Sequence, residues 1–292
     1  MKVIVIGKSG QLANELLAEL PEGVEVLSLG RNDVYITSYS DLSARVHQFK
    51  PNVIINASAY TAVDKAESDS DAAYAINETA VEIMAKVAKE HNCRFLHVST
   101  DFVFDGESNL AYDVFSQTNP TSVYGASKLA GELAIKNTYP ENSAIVRTSW
   151  VYSTFGNNFV KTMLRLIKEK EQLGVVADQI GCPTSAKGLA RFIWLLASKG
   201  DIKQVYHWSD AGVASWYDFA VAIQELGLKH GLLDKKIPIS AIASSAYPTP
   251  AKRPKFSLLN STDSALISDS IHWREQLETC IIKLSSENKG IK

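Results

Sequence analysis

Lys2-Val3-Ile4-Val5-Ile6-Gly7-Lys8-Ser9-Gly10-Gln11-Leu12-Ala13 opens the chain and sets its architecture. The first half is a β-branched run that fits a strand buried on both faces. The second half is a glycine turn leading into a helical pattern, with Leu12, Leu16, Leu17 and Leu20 on one side. Pro21-Glu22-Gly23 stops that helix, and Val24 to Leu29 reads as a second strand ending in Gly30-Arg31. Such a turn lets backbone N–H groups and a helix N-terminus face a pyrophosphate. The spacing is G-x-x-G-x-x-A rather than G-x-G-x-x-G. A glycine-rich turn is also a common tight bend, so this unit alone leaves dinucleotide binding open.

The alternation continues outward. Val53 to Asn56 is expected to be a third strand, Asp71 to His91 a helix, Arg94 to Ser99 a fourth strand, Thr121 to Lys136 a helix, and Ala144 to Arg147 a fifth strand. Repeated strand-helix alternation predicts a doubly wound, Rossmann-like parallel α/β sheet, whose ligands sit beyond the carboxyl ends of the strands. Gly7, Arg31, Asn56 and Thr100 all fall at such ends. Beyond Trp150 the pattern loosens, with helices expected over 158–170, 185–197 and 215–226 and a Pro- and Ser-rich segment over 244–260. Residues 1–150 are therefore read as the dinucleotide-binding domain. Residues 151–292 are read as a smaller substrate-binding lobe, partly interleaved with the sheet, whose Lys-rich tail after Ser285 is expected to fray.

Composition narrows the partners. With 30 Lys and Arg against 32 Asp and Glu, the formal net charge of -2 provides no global basic field for nucleic acid or a membrane surface. The N-terminal apolar run is too short for a signal peptide, and no stretch approaches the ~18 apolar residues of a membrane span. Three widely spaced cysteines without a C-x-x-C suggest a reducing, cytoplasmic setting and no structural zinc.

The chemistry concentrates in Val98 to Lys128. If the segment after Pro120 is helical, Tyr124 and Lys128 are i and i+4 and share one face. A nearby cation favours a phenolate, and a drop of about three units from a pKa of about 10 corresponds to ~4 kcal/mol. A tyrosine tuned in this way could pass a proton to a carbonyl oxygen near neutral pH. Tyr-x-x-x-Lys by itself is far more often a solvated helix face than a catalytic pair.

Taken together, these pieces resemble the extended short-chain dehydrogenase/reductase superfamily, and within it the branch that completes dTDP-L-rhamnose. The resemblance rests on Gly7-x-x-Gly10-Gln11-Leu12, the run from Asn56 to Glu67, Asn77, and Ser99 to Gly106. It continues through Tyr124-Gly125-x-x-Lys128-x-x-Gly131-Glu132, Arg147 to Tyr152, Gly156 to Phe159, Gly181-x-Pro183-Thr184 and Arg253-Pro254. It departs from the common pattern at Ala13, at Tyr35, where relatives often carry an aspartate near the adenosine ribose, and at Phe102, where tyrosine is frequent.

The resemblance implies hydride transfer from a reduced nicotinamide to C4 of a dTDP-linked 4-keto-6-deoxy sugar, for cell-surface polysaccharide. Tyr124 is the implied proton donor. Lys128 would hold the nicotinamide ribose and depress the tyrosine pKa, and Thr100 would bind the same ketone oxygen. Gly7, Gly10, Gln11 and Leu12 would line the pyrophosphate turn, with Ala57, Ala59, Tyr60 and Pro183 along the rest of the cofactor. Arg31 suits a 2′-phosphate, which favours NADPH, with NADH also usable. Thr61, Val63, Thr100, Asp101, Phe102, Trp150 and Arg253 are the implied sugar-nucleotide contacts. A homodimer is implied as well; interfacial Mg2+ occurs in some members, but no carboxylate set matches it here, and no metal ligand is assigned. Other readings remain open: a reductase of another 4-keto sugar, a non-catalytic NADP-binding regulatory subunit, or an epimerase or dehydratase.

Overall fold

The computed structural model describes residues 1–289, with side chains through residue 287. In chain order the elements begin with β1 (Lys2–Ile6), α1 (Gln11–Ala18), β2 (Glu25–Leu29), α2 (Tyr39–Phe49) and β3 (Val53–Asn56). Next come α3 (Val63–Ala66), α4 (Ser70–Tyr74), a π-helical turn (Ala75–Thr79), α5 (Ala80–Glu90), β4 (Arg94–Thr100), α6 (Val123–Thr138) and β5 (Ser143–Thr148). The lobe supplies β6 (Val151–Tyr152), α7 (Phe159–Glu169), β7 (Leu173–Val176), β8 (Ile180–Gly181), β9 (Thr184–Ser185) and α8 (Ala186–Ser198). It ends with β10 (Val205–His207), β11 (Ala214–Ser215), α9 (Trp216–Lys229), β12 (Ile239–Ile242), α10 (Thr262–Ala265) and α11 (Trp273–Lys289). The tail considered for fraying after Ser285 continues α11; residues 290–292 lie outside the described residues.

Six strands pair in the order β10-β5-β4-β3-β1-β2, all parallel, as expected for a doubly wound sheet. Strand alternation then sorts side chains to two faces. Val3, Val5, Val53, Ile55, Leu96, Ala144 and Val146 pack under α1 and α8. Ile4, Ile6, Ile54, Phe95 and Ile145 pack with residues of α2, α5 and α6. Successive strands step in opposite directions from β1, to β2 on one side and β3 on the other. This is the switch point where a crevice opens beyond the strand ends.

One feature escaped the sequence reading. The helix expected over 71–91 is broken by the π turn, whose extra residue turns Asn77 inward. There the Asn77 side chain accepts from the Tyr60 backbone N–H at 2.9 Å and donates to the Ser127 hydroxyl at 3.0 Å. A Cβ on Gly131 would run into the Asn77 backbone carbonyl, so α6 lies against this turn at contact distance. The lobe also contributes to the sheet: β10 pairs with β5, and α8 covers one face. The lobe has its own core, built from Tyr152, Val160, Ile167, Phe219, Ile223, Leu277 and their neighbours.

Candidate active site

The glycine turn sits in the crevice. Gly7 adopts φ +111°, and a Cβ there would lie 2.8 Å from the Ala57 backbone, so β1 and β3 leave room only for a bare backbone. Its carbonyl accepts from Gly10 N–H at 2.7 Å, and α1 then starts with no side-chain cap and no acidic residue in its first turn. The helix thus presents unclaimed N–H groups and a positive dipole end, the donor set that fits a pyrophosphate. Gln11 is held from the lobe, its carbonyl oxygen accepting from Asn158 at 2.8 Å. Asn158 also caps α7, accepting from Lys161 N–H at 3.2 Å.

Beyond β2, Lys8, Ser9, Gly30, Arg31, Asn32 and Asp33 line an open hollow. Arg31 and Lys8 make it cationic, which fits a 2′-phosphate. Tyr35 is not among these lining residues and is 73% exposed. The acid in the hollow is instead Asp33, which accepts from Gly30 N–H at 2.9 Å and lies 3.4 Å from the Lys8 ammonium. The Gly30 bond and then Lys8 hold this carboxyl below its usual range.

At the other end of the crevice, Tyr124 and Lys128 share the buried face of α6, as their i, i+4 spacing requires, with 9% and 2% exposure. Ser122 caps this helix by accepting from Gly125 N–H at 3.2 Å, which fixes where α6 begins. Tyr124 clusters with Tyr60, Val63 and Phe102, whose ring meets the Tyr124 ring edge-on at 5.5 Å. Thr100 ends β4, accepts from Phe102 N–H at 3.2 Å, and sits beside the Tyr124 hydroxyl.

The electrostatics differ from the expected picture. Burial pushes the Tyr124 phenol up to about 12, against a smaller downward pull from Thr100. Lys128 does not depress it in this state, because its ammonium position is turned toward the sheet. There Nζ donates to the Val98 carbonyl at 2.7 Å and lies 3.2 Å from His97 Nε2. Burial also brings Lys128 down to about 8, opposed by the Glu132 charge one turn along. Asp101, buried next to Thr100, is raised to about 6 by desolvation.

The lobe closes the far wall. Trp150, at φ +49°, stacks on Trp216 at 3.6 Å, and a Cβ on Gly181 would touch the Trp150 ring at 2.9 Å. A bulky residue held at positive φ stores strain of order 1–3 kcal/mol, a pattern that clusters at ligand sites. Thr184 N–H donates to the Trp150 carbonyl at 3.2 Å, which brings the buried Pro183 alongside. Ser257 lies against both Gly181 and Asp101, linking the lobe to the end of β4.

Arg253 reaches across to α3 and grips Asp64 through two contacts of 3.0 and 2.8 Å. The sequence did not anticipate this partner. Thr61 and Ala59 lie on the loop between β3 and α3, with Thr61 exposed. Arg31 stands apart from the Tyr124 cluster, on the far side of the glycine turn, as the two ends of an extended dinucleotide require.

Sequence reasoning also passed over Asn77, quoted without a role, and His97. His97 was visible as the polar residue in the apolar run Phe95-Leu96-His97-Val98. No group of three or more His, Cys, Asp or Glu among the described residues could hold a metal ion, and no helix there is long and apolar enough to cross a membrane.

Comparison with known proteins adds three findings. Residues 1–286 match the family model described as the RmlD substrate binding domain. A curated dTDP-4-dehydrorhamnose reductase of Sinorhizobium fredii is 41% identical over 266 residues, covering 89% of each chain. Among solved structures, a dTDP-4-dehydrorhamnose reductase from Clostridium acetobutylicum superposes with a TM-score of 0.90 at 38% identity, over 97% of this chain and 99% of that one. One from Bacillus anthracis, in complex with NADP, gives 0.90 at 36% identity, again over 97% and 99%.

Proposed function

The chain belongs to the RmlD family of dTDP-4-dehydrorhamnose reductases, and from that membership we infer how its own residues carry the reaction. It is an NADPH-dependent oxidoreductase that reduces the C4 ketone of dTDP-4-dehydro-L-rhamnose, giving dTDP-L-rhamnose. The bound nicotinamide supplies the hydride. Every other task falls to the protein.

Gly7 and Gly10 keep the turn bare so that the α1 N-terminus faces the pyrophosphate, with Gln11 and Leu12 in its first turn. Ala57, Ala59, Tyr60 and Pro183 border the remainder of the cofactor, and Lys128 serves its ribose. Thr100, whose hydroxyl donates to Asp101 in the unliganded chain, turns that proton to the C4 oxygen and holds it against Tyr124, whose phenol gives up its proton as negative charge develops there. Burial favours that role, because a phenol raised to about 12 stays protonated until the oxyanion demands the proton. Thr61, Val63, Asp101, Phe102 and Trp150 line the sugar side, and Arg253 faces the diphosphate with Asp64 fixing its guanidinium. The observation that carries this reading is the convergence of Thr100, Tyr124 and Lys128 on the carboxyl-terminal half of β4, beside an uncapped glycine-turn helix.

We further read residues 1–150 as the cofactor-binding part and 151–292 as the interleaved substrate lobe. The protein is read as a cytoplasmic homodimer. What supports the compartment is three buried free thiols, and what supports the dimer is family membership.

The direct test adds dTDP-4-dehydro-L-rhamnose to purified protein with NADPH or NADH and follows cofactor absorbance, with the product identified by NMR. Rapid oxidation giving dTDP-L-rhamnose is expected. Cofactor binding without oxidation of this substrate defeats the assignment. For the cofactor, Arg31→Ala is expected to weaken NADPH binding about tenfold, ~1.4 kcal/mol, and leave NADH nearly unchanged. Equal weakening of both in titration calorimetry would remove Arg31 from the 2′-phosphate.

A further inference from the structure

We propose that Asp210 is a positioning residue for hydride transfer, which fixes the segment from Cys182 to Ser185, and with it Pro183, to the central sheet. The inference deepens the reductase reading and rests on it for the place of the nicotinamide beside Pro183. The anchoring bonds stand without it.

Asp210 is buried, and no cation among the described residues pairs with it. Burying a carboxyl without a paired cation costs stability, so its place is explained by what it holds. It holds one short segment from both ends. Oδ2 accepts at 2.9 Å from the backbone N–H of Ser185, the N-cap residue of α8. The Asp210 backbone carbonyl accepts from the Cys182 thiol, also at 2.9 Å. Burial pushes that thiol well above its ordinary range, so it stays a donor. Pro183 lies between the two anchored residues and has no N–H of its own with which to hold position. The Ser149 hydroxyl, just past β5, donates to the Cys182 carbonyl at 2.9 Å and completes the hold.

The anchor is itself fixed on two sides. Trp208 N–H donates to the Arg147 carbonyl at 2.9 Å, which prolongs the β10–β5 ladder toward Asp210, and the Trp208 ring stacks on Phe192 of α8 at 4.4 Å. Ala211 N–H donates to the Ile271 carbonyl and its own carbonyl accepts from Trp273 N–H, both at 2.9 Å, where α11 begins. β5 neighbours β4, whose end carries Thr100. Asp210 therefore ties the nicotinamide wall to the same sheet that places the ketone-binding hydroxyl. A misplacement of about 1 Å at reacting atoms can cost about 10²-fold in rate, which is what such a tie prevents.

The second carboxyl oxygen lies against the bare backbone of Gly188 in α8, beside the Gln276 side-chain amide and the Trp208 indole N–H. Desolvation lifts the carboxyl to about 8, against the pull of the Ser185 N–H. At neutral pH it is mainly the uncharged acid, and asparagine copies both its shape and its acceptor.

The test compares Asp210→Ala and Asp210→Asn with wild type at neutral pH. In Asp210→Ala, single-turnover oxidation of NADPH by dTDP-4-dehydro-L-rhamnose is expected to slow at least about tenfold, while 2′-phospho-ADP-ribose, which lacks the nicotinamide, binds within about twofold of wild type. Asp210→Asn is expected to keep the rate within about threefold. An Asp210→Ala rate within about threefold of wild type, an Asp210→Asn enzyme as slow as Asp210→Ala, or equal weakening of the nicotinamide-free fragment overturns the proposal. Time-resolved fluorescence of bound NADPH reads the same hold without substrate. A fast depolarising component of the dihydronicotinamide is expected to appear in Asp210→Ala, and its absence overturns the proposal. Failure of the reductase reading is separate, because it shows as no oxidation by wild type. Should Asp210→Ala not fold, Cys182→Ala removes the thiol bond alone and Cys182→Ser restores a donor. The first is then expected to show the fast component and the second to lose it; no difference between them overturns the proposal.

Discussion

Replacing Tyr124 with Phe is expected to lower kcat by about 10²–10⁴-fold while changing NADPH affinity less than about threefold. The substitution removes one oxygen and little else. The ring keeps its edge-on contact with Phe102 and its place among Tyr60 and Val63, so the pocket wall retains its shape. Thr100 remains to hold the ketone oxygen, but an alcohol hydroxyl has no means of delivering its proton outright at neutral pH. The loss belongs to the transition state and should appear in kcat and kcat/KM together, with KM nearly constant. A Tyr124→Phe enzyme within about threefold of wild-type kcat would remove Tyr124 from the chemistry and leave water or Thr100 as the proton source.

The largest expected effect on stability comes from a neighbour of that pair. Glu132 is fully buried one turn beyond Lys128 and meets the Arg147 guanidinium through both carboxylate oxygens, at 2.6 to 3.2 Å. Arg147 also lies over the Phe104 ring at 5.1 Å and beside His207. Glu132→Ala strands that guanidinium without a counter-charge, and breaking a buried pair in this way costs about 3–5 kcal/mol. The double variant Glu132→Leu/Arg147→Met removes both charges and should recover much of the loss, because no ion is left desolvated. Urea denaturation with an unchanged m-value reads both numbers. A Glu132→Ala shift below about 1 kcal/mol would mean that water or His207 already satisfies Arg147.

The sequence showed most clearly what is decided locally. The glycine turn needs a bare backbone and a helix start, and both are written in consecutive residues. Tyr124 and Lys128 share a face because helical spacing puts them there. What escaped was decided by register and tertiary contact. Asn56 and His97 are neighbours only because β3 and β4 pair in parallel, and nothing near either residue in the chain signals the other. Asp33 rather than Tyr35 occupies the hollow because Asp33 reaches back to Gly30 N–H. The Asp64 partner of Arg253 lies on the opposite wall of the crevice, beyond any local pattern. The π turn has no periodic signature, since its inserted residue is stabilised by Asn77 bonding Tyr60 and Ser127.

The place of β10 carries a consequence for biosynthesis. All six side chains of β5 are buried, and its outer edge is covered only by a strand that follows α8 in the chain. A ribosome making this protein therefore extrudes the nucleotide-binding strands well before the residues that seal them. At 5–20 residues per second, an unpaired edge and the apolar face beneath α8 stand exposed for a time on the order of seconds. During that interval the nascent chain is a template for mispairing with its neighbours on the polysome. A translational pause placed between β5 and β10 would lengthen the exposure and divert yield into aggregates.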